Sequence, residues 1–378
     1  MDICFLGYYC HYLSSLRDGG SHCVSKNISI LIIVILLLSG CWDERLNKDF
    51  ASIPMVGFDG EIGNLTGYFG LPGEQHQSEQ FEMLSAKGIS VQDVAQKVDQ
   101  KVNERLDLSK LTSILLSDDT VKSDLDHYLD AYYRNSRSRL NTVLIITEGS
   151  TAPFIQYGDK MGSDVNNYYS EFVEGFKLES VLSKADIQQS LSDLKDEAID
   201  LTLPYIIMSK EENIPELLGL ALFSGKKFSG KTLNKDDSIV LQLMKKKKGK
   251  YPFLTFTHKE VPLTIRVDNL QRKMKWDGTH IEIHYKMKIG IMEYYKNHLL
   301  EKKEIQEIEK FLEETFTKQM EEILKVLHDS NCDALGIGRY ARAFHPNVFE
   351  KNKWNEIYPT LTITPIVQVK VIETGIAD

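Results

Sequence analysis

The sequence contains none of the short motifs that mark common classes of enzyme. There is no Walker loop, no G-x-S-x-G nucleophile elbow and no C-x-x-C pair. Gly336 and Gly338 form a G-x-G pair, but it lacks the third glycine and the strand-to-helix setting of a nucleotide fold. The sequence therefore predicts a protein that is not an enzyme and has no catalytic residue, metal ion or cofactor.

Long apolar runs are also scarce. The longest, Ile28–Leu38, has 11 residues and is broken only by Ser29. A helix that crosses a bilayer needs roughly 18–25 apolar residues, so this run is short for a permanent span and has the length of a signal-peptide core. No second long run follows, which predicts that the body of the protein does not span a membrane.

A lipobox closes the apolar run, with Leu38, Ser39, Gly40 and Cys41 in succession. Small residues let the chain lie extended in the processing enzymes, and the cysteine thiol receives a diacylglycerol. We expect cleavage before Cys41, an S-diacylglycerol on Cys41, and N-acylation as a further step that this pattern allows. Residues 42–378 would then lie outside the cytoplasm, tethered to a membrane. The alternative is an ordinary hydrophobic segment that ends in cysteine.

The residues before the apolar run match a signal peptide poorly. Residues 1–23 contain two acidic residues, Asp2 and Asp18, and one basic residue, Arg17, whereas a signal peptide begins with a short basic segment. Val24–Asn27 provides such a segment. Because a GTG codon can initiate translation in bacteria, we predict that the true chain starts at or near Val24.

Cysteines are few, with five in 378 residues, and three of them precede residue 24. After cleavage only Cys41, consumed by the lipid, and Cys332 would remain. An internal disulfide is then excluded, so hydrophobic cores must hold the body together. A formal charge of −9, with 42% hydrophobic and 26% charged residues, describes a folded, water-soluble body and argues against nucleic acid as a partner.

Residues 41–210 alternate strands and helices, as expected of an N-terminal α+β domain. The predicted order is strand, strand, helix, strand, helix, strand, at 53–58, 65–71, 91–102, 111–116, 121–132 and 140–147. The first two strands predict a hairpin, and Ser90 is the expected N-cap of the first helix. Apolar spacing from Leu178 to Leu194 favours a further helix, and a domain boundary is placed near 205–218.

Residues 211–378 are predicted to form a C-terminal α+β region with room for two subdomains. Asp277-Gly278, between alternating strands 261–267 and 279–294, predicts a β-hairpin. A long amphipathic helix over 299–328 is expected to lie across that sheet. The last strand contains Pro365, which favours a sheet edge. The fold class is thus α+β, with mixed or antiparallel sheets in two or three domains behind a leader and signal peptide, 1–40.

His280, Glu282 and His284 share one face of a predicted strand and have the chemistry of metal ligands. Alternate residues of a strand stand about 7 Å apart, so such a trio rarely converges on one ion. Neighbouring lysines also indicate a solvated face, and we predict no metal here.

A run of four lysines, Lys245–Lys248, is followed by Lys250. One interpretation is attraction to anionic lipid headgroups, worth about 1 kcal/mol per charge near a membrane. The interpretation that we prefer is a solvated loop that keeps sheet edges apart.

Asp333, Arg339, Arg342 and His345 lie close together in the sequence. We interpret them as residues that organise a helix and its caps, and not as a catalytic group.

Several short motifs follow one another along the mature chain. They are Leu38–Asp43, Leu46-Asn47, Gly57-Phe58-Asp59, Glu104-Arg105-Leu106 through Ser113, Gly219–Phe223 with Gly230, Cys332–Gly338, His345-Pro346, Trp354, and Val367, Val369 and Val371 with Gly375. Their order and spacing resemble the Ger(x)C family, the C subunits of nutrient germinant receptors in endospore-forming bacteria. Phe58 stands where the family commonly has a small aliphatic residue, and the leader before Val24 is unlike the family.

The resemblance implies a non-enzymatic subunit, anchored by lipid to the outer face of the spore's inner membrane. It would work with membrane-spanning A and B subunits that help sense nutrients such as amino acids, sugars or nucleosides, and its loss would cripple germination. We interpret its role as that of a scaffold or coupling subunit. The alternative is a substrate-binding lipoprotein of a nutrient transporter, but such proteins have two lobes of parallel sheet, whereas the hairpins here predict antiparallel or mixed sheets.

Overall fold

The structure is a computed structural model that describes residues 50–73, 81–278, 280–295, 302–350 and 353–374. Residues 50–378 form one compact unit. The predicted Val24 start, the signal peptide and the lipobox all lie outside the described residues and stay predictions.

Strands and helices follow one another through the described residues. The strands are β1 (Phe50–Ser52), β2 (Met55–Glu61), β3 (Asn64–Leu71), β4 (Glu82–Gly88), β5 (Arg105–Asp107), β6 (Ser113–Ser117), β7 (Val143–Thr147), β8 (Thr202–Met208), β9 (Pro215–Ser224), β10 (Lys227–Asn234), β11 (Phe253–His258), β12 (Val261–Trp276), β13 (His280–Tyr294) and β14 (Thr362–Glu373). The α-helices are α1 (Val91–Asp99), α2 (Asp126–Tyr133), α3 (Ala152–Gln156), α4 (Tyr168–Leu178), α5 (Ile187–Leu194), α6 (Lys235–Met244), α7 (Lys302–Asp329), α8 (Ile337–Phe344) and α9 (Trp354–Ile357). The predicted α+β class is confirmed.

A mixed eight-stranded sheet has the order β10-β9-β8-β7-β6-β2-β3-β4. Its centre is parallel, from β2 through β6 and β7 to β8, and its flanks are antiparallel. The parallel strands β6 and β7 read SILLS and VLIIT, the nearly continuous apolar runs that strands covered on both faces require. The predicted hairpin is confirmed as β2–β3, which closes with Glu61 opposite Asn64.

Local capping sets the start of α1 as predicted. The Ser90 hydroxyl accepts a hydrogen bond from the Asp93 amide at 3.2 Å, and the Asp93 carboxylate accepts one from the Ile89 amide at 2.9 Å. These two bonds satisfy amides that the helix itself leaves without partners. Val91, Val94 and Val98 then form the buried face of the helix.

The helix predicted from Leu178 to Leu194 is confirmed over Ile187–Leu194, which is α5, and is wrong over 179–186. Helix α4 ends at Leu178, and Ser180 adopts a left-handed backbone with φ of 70°. The following segment runs beside β7, where the Ala185 carbonyl accepts a hydrogen bond from the Leu144 amide at 2.8 Å. Val181, Leu182 and Ala185 are buried core residues, although the segment that contains them is not helical.

The eight-stranded sheet contains strands from both sides of residue 210. Antiparallel pairing joins β8 to β9, from Thr202 opposite Leu222 to Met208 opposite Pro215. Strands β9 and β10 therefore extend the sheet built by the preceding residues. The division into 41–210 and 211–378 stays a prediction.

A second sheet has four strands in the order β11-β12-β13-β14. The predicted hairpin is confirmed as β12–β13, with Trp276 opposite Ile281. Gly278 has φ of 112°, and the Asp277 carboxylate accepts the His280 amide at 2.9 Å, so both turn residues do what the hairpin requires. Strand β14 pairs parallel to β13 at the sheet edge, in agreement with the position inferred from Pro365.

Helix α7 packs against the second sheet and covers its β14 edge, as the amphipathic pattern predicted. Its buried face contains Ile308, Leu312, Phe316, Met320, Ile323, Leu324 and Leu327. Glu313 accepts a hydrogen bond from the Val369 amide and Glu309 accepts one from the Val371 amide, each at 2.9 Å. Two amides of an edge strand are thereby satisfied by helix carboxylates, which protects the edge against pairing with another chain.

Replacement of Glu313 by alanine should expose this dependence. We expect Glu313→Ala to lower the free energy of unfolding by about 1–3 kcal/mol, because the Val369 amide loses a charged acceptor. The neighbouring Glu314 is 69% exposed, so Glu314→Ala should change stability by less than about 0.5 kcal/mol. Urea denaturation of both variants provides the measurement, and equal effects would contradict the role assigned to Glu313.

Candidate functional site

The carboxyl group of Asp333 is fully buried and organises the start of α8. It accepts hydrogen bonds from the amides of Ile337 at 2.8 Å and Gly338 at 2.7 Å, and from the indole N–H of Trp354 at 2.9 Å. This arrangement confirms the interpretation of Asp333 as a helix-organising residue. It also joins the Cys332–Gly338 motif to Trp354, a later residue of the family resemblance.

The two glycines of the G-x-G pair are required for different reasons, the first by its backbone conformation and the second by close packing. Gly336 adopts a left-handed backbone with φ of 69° directly before α8. A Cβ atom on Gly338 would lie 2.7 Å from the Trp354 indole nitrogen and 2.9 Å from the Ala198 carbonyl oxygen. The pair therefore serves a tight turn and a close contact with a neighbouring segment.

Asp200 connects this motif to the eight-stranded sheet. Its carboxyl group accepts the Asp333 amide and the Gly225 amide, both at 2.7 Å, and its own amide donates to the Asp333 carbonyl at 3.1 Å. Asp200 precedes β8, and Gly225 lies in the β9–β10 turn. One side chain thus holds together three segments that are remote in sequence. We call Asp200, Asp333, Gly338 and Trp354 the buried junction.

An ion-pair group flanks the buried junction on its solvent side. Arg339 donates to Asp196 at 2.7 Å and to Asp193 at 2.9 Å, and Arg342 donates to Asp196 at 2.8 Å. Burial raises the pKa of Asp196, but the hydrogen bonds from Arg342 and Arg339 outweigh it and lower the pKa to about 2. The sequence predicts that His345 organises the helix together with these arginines. In the structure its ring packs against Trp276 instead, with ring centres 5.1 Å apart.

Burial dominates the electrostatics of the buried junction. It raises the pKa of Asp200 to about 6 and the pKa of Asp333 to about 7, against the opposing effect of the N–H groups that both carboxyls accept. Burial likewise raises the pKa of the Cys332 thiol and lowers the pKa of Lys245 to about 8. Lys245 therefore differs from Lys246–Lys248, whose side chains are exposed.

The buried junction has the features of a structural centre. Both carboxyl groups are occupied by backbone or indole N–H groups, and the Cys332 thiol is fully buried. A cavity of about 150 Å³ lies beside it, lined by Asp193, Asp196, Asp200, Lys226, Trp354 and other residues. The geometry is suited to fixing the eight-stranded sheet against the C-terminal helices.

The histidine trio does not converge on one point. His284 Nε2 lies 3.0 Å from the Glu282 carboxylate, whereas His280 Nε2 lies 2.8 Å from the Thr364 hydroxyl. Across the described ranges no group of three His, Cys, Asp or Glu side chains is arranged to hold a metal ion.

Two other motifs of the resemblance also shape the backbone. A Cβ atom on Gly57 would lie 2.5 Å from the Thr151 hydroxyl oxygen, and Asp59 accepts the amide and hydroxyl of Thr151 at 2.9 and 2.8 Å, next to α3. A Cβ atom on Gly219 would lie 2.1 Å from the Leu233 carbonyl oxygen. These motif residues are therefore explained by close packing and helix capping.

Sequence reasoning did not single out Asp193, Asp196 or Asp200. Asp193 lies at the end of α5, and the other two lie in the turn that follows it, where acidic residues are ordinarily solvated. Their long-range partners lie 25 to 146 residues away along the chain. The only local signal is that Asp200 stands directly before an apolar strand, in the sequence Ala198-Ile-Asp-Leu201.

The structure contains no helix among its described residues that is long and apolar enough to cross a membrane.

Family models match both halves of the chain. The model described as "Spore germination protein N-terminal domain" matches residues 43–208, and "Spore germination B3/ GerAC like, C-terminal" matches residues 218–375. Together with the α+β fold, these matches define a spore germination protein. The chain belongs to the Ger(x)C family.

Individual relatives cover nearly the whole chain. Spore germination protein GerQC of Bacillus cereus is 25% identical over 362 residues, which are 93% of this chain and 100% of the relative. Spore germination protein KC of Bacillus subtilis (strain 168) is 23% identical over 392 residues, covering 92% of this chain and 95% of the relative. The crystal structure of the GerBC protein has the same fold, with a TM-score of 0.56 and 15% identity, over 84% of this chain and 97% of that one.

Loss of the Asp333 carboxyl group should weaken the whole fold. Asp333→Ala leaves three buried N–H donors without an acceptor, and we expect a loss of about 3–5 kcal/mol in the free energy of unfolding. Asp329 is exposed at the end of α7, so Asp329→Ala should cost less than about 0.5 kcal/mol. Urea denaturation of both variants tests this, and a tolerated Asp333→Ala would show that water replaces the carboxyl group.

Stability should also depend on pH through the buried junction. Asp200 and Asp333 have folded-state pKa values above their usual 3.8, so the stabilisation is complete below about pH 4 and is lost as the pH rises through 6 and 7. Burial lowers the pKa of His328, which acts in the opposite direction below its usual 6.5. We therefore expect the free energy of unfolding to fall by about 1 kcal/mol between about pH 6.5 and 8.

Urea denaturation at a series of pH values measures this fall. In His328→Gln the opposing effect is removed, and the fall should begin nearer pH 4. A free energy of unfolding that does not fall between pH 6.5 and 8 in either protein would mean that the N–H donors outweigh burial at the two carboxyl groups.

Proposed function

We propose that this chain is a lipid-anchored, non-enzymatic subunit of a nutrient germinant receptor that is needed for spore germination. It acts as a scaffold or coupling partner of the membrane-spanning A and B subunits, on the extracytoplasmic face of the spore inner membrane. The observation that carries the proposal is the ordered match of the spore germination models to residues 43–208 and 218–375.

The geometry of the motif residues supports a non-enzymatic role. Gly57, Gly219 and Gly338 stand where a Cβ atom would meet another segment, and Asp333 accepts three N–H groups. A family held together by such residues shares a shape, and a shared shape is what a scaffold offers to its partners.

The lipobox supports attachment at the membrane. A lipidated cysteine with at least two acyl chains gives firm anchoring, whereas a single chain gives only marginal binding. A tether also raises the local concentration of the body near membrane-spanning partners. Anchoring through Cys41 thus provides a physical reason for a folded body to work with subunits that it does not itself resemble.

The transporter alternative makes a different demand on the fold. A substrate-binding lipoprotein is built from two parallel-sheet lobes, whereas here a mixed eight-stranded sheet is followed by an antiparallel hairpin with one parallel edge strand. Tight calorimetric binding of a small nutrient by residues 42–378 alone would favour the alternative. Copurification with multispanning subunits would favour the receptor.

Replacement of Cys41 tests the anchor directly. We expect Cys41→Ala to abolish lipid attachment and most of the germination response while leaving the body folded, because residues 50–378 form a compact unit of their own. Membrane fractionation of spores and germination on the matching nutrient are the two measurements.

Ser29→Ala is the matched control, since Ser29 lies after the predicted start, before the expected cleavage site and outside the lipobox, and its replacement should leave attachment and germination unchanged. Cys41→Ala protein that still sediments with the membrane and functions would refute the lipobox assignment. Protein released from the membrane but fully responsive would refute the importance of tethering.

A further inference from the structure

Exposed aromatic and lysine side chains meet at the connection between α6 and β11. Tyr251 and Phe253 are each 41% exposed and stack with ring centres 6.3 Å apart and planes 6° apart. Leu178, at the end of α4, is 43% exposed, and its carbonyl accepts the Tyr251 amide at 2.8 Å. We call Leu178, Lys246, Lys247, Lys248, Lys250, Tyr251 and Phe253 the lysine–aromatic patch.

The patch is held in a defined shape. The Gly249 amide donates to the Ser180 hydroxyl at 2.7 Å, and a Cβ atom on Gly249 would lie 2.2 Å from the Lys177 carbonyl oxygen. Phe253 begins the edge strand β11 and faces outward, since the next residue, Leu254, is buried. The aromatic rings are therefore presented to solvent by a fastened backbone.

Positive charge dominates the patch although the chain carries a formal charge of −9. Among the described residues, nearby carboxylates already have cationic partners: Glu174 pairs with Lys177, Glu179 with Lys235, and Asp268 with Arg266. Lys250 Nζ lies 5.0 Å from the centre of the Tyr251 ring. The exposed lysine side chains are thus left to attract an external anion.

A cavity of about 210 Å³ lies beside the patch, lined by Lys246, Lys248, Asp268, Asn269 and Leu270. The Asp268 carboxylate would repel an anion within it. The exposed lysine tips, and not this cavity, are therefore the place where anions can gather.

This combination fits a membrane surface better than a protein partner. Lysine is depleted at protein–protein interfaces, whereas tyrosine sits at the level of lipid headgroups and lysines attract anionic lipids. From Cys41 to Phe50 the chain can reach at most roughly 30 Å, so a body anchored at Cys41 stays close to the bilayer.

We propose that the lysine–aromatic patch is a second membrane contact that binds anionic phospholipid headgroups and sets the orientation of the tethered body. This inference rests on the proposed anchoring at Cys41, which would hold the patch at a high local concentration near lipid. The contact itself needs no acyl chain, so it can be measured separately from the anchor.

The test uses residues 42–378, which contain the complete compact unit 50–378, with circular dichroism to verify folding. Co-sedimentation with phosphatidylglycerol-containing vesicles should exceed that with phosphatidylcholine vesicles and should fall with added salt. Lys246→Glu with Lys248→Glu should lower partition onto anionic vesicles at least about tenfold, since each lysine contributes about fivefold. Tyr251→Ser with Phe253→Ser should also lower it.

Lys310→Glu with Lys318→Glu is the matched control. Both lysines are 79% exposed on α7, so the pair makes the same change in net charge away from the patch. Its partition should stay within about twofold of that of the unchanged protein. A control pair that weakens partition as much as the patch pair would overturn the proposal.

Two further outcomes would also overturn it. One is an unchanged body that binds anionic vesicles no better than neutral ones. The other is a patch variant that binds vesicles normally but blocks germination, which would assign the patch to a protein subunit. The two proposals can also fail separately. If Cys41→Ala protein is released from membranes and spores no longer respond, but the soluble body does not bind vesicles, the proposed function stands and this inference fails. If the soluble body binds anionic vesicles, but released Cys41→Ala protein supports a full response, this inference stands and the importance of tethering is refuted.

Discussion

Two buried carboxyl groups, on Asp200 and Asp333, fix how the first sheet meets the C-terminal helices. The Asp200 carboxyl accepts the amides of Gly225 and Asp333, which lie 25 and 133 residues away along the chain. The Asp333 carboxyl accepts the amides of Ile337 and Gly338 at the start of α8 and the indole N–H of Trp354. Burying a carboxyl group is costly unless its hydrogen bonds are complete, so the segments must arrive together for the arrangement to be stable. The chain can therefore specify one relative position of its parts without a disulfide.

The second sheet depends on a similar use of carboxylates. Glu309 and Glu313 on α7 accept amides from β14, which would otherwise be an open strand edge. Side chains of one element thus complete the backbone hydrogen bonding of another in both halves of the molecule. Such contacts fix direction as well as distance, because N–H groups must point at the accepting oxygen. The result is a body whose surfaces keep a constant relation to one another, as a scaffold requires.

Local patterns predicted the hairpins, the Ser90 cap and the long helix, because alternation, turn chemistry and capping act over a few residues. The stretch 181–185 was wrongly predicted as helical, because its buried residues Val181, Leu182 and Ala185 have the apolar spacing of a helix face without forming one. The partners of Asp333 within its own motif were accessible to sequence reasoning. The role of Asp200 was not accessible, because no neighbouring residue in the sequence indicates a partner 133 residues away. Long-range hydrogen bonds leave no periodic trace in the sequence.

The structure favours attraction to anionic lipid, and not a solvated loop alone, as the role of the lysine run. As a sequence, Lys245–Lys248 favoured a solvated loop that keeps sheet edges apart. In the structure Lys245 is separated from the others by its burial-lowered pKa, while Lys246–Lys248 lie exposed beside the stacked Tyr251 and Phe253. A solvated loop has no need of exposed, stacked aromatic rings. A tether at one point leaves a body free to rotate, and even a weak second contact on a rigid surface removes much of that freedom. For the proposed scaffold, orientation at the membrane would be as important as attachment to it.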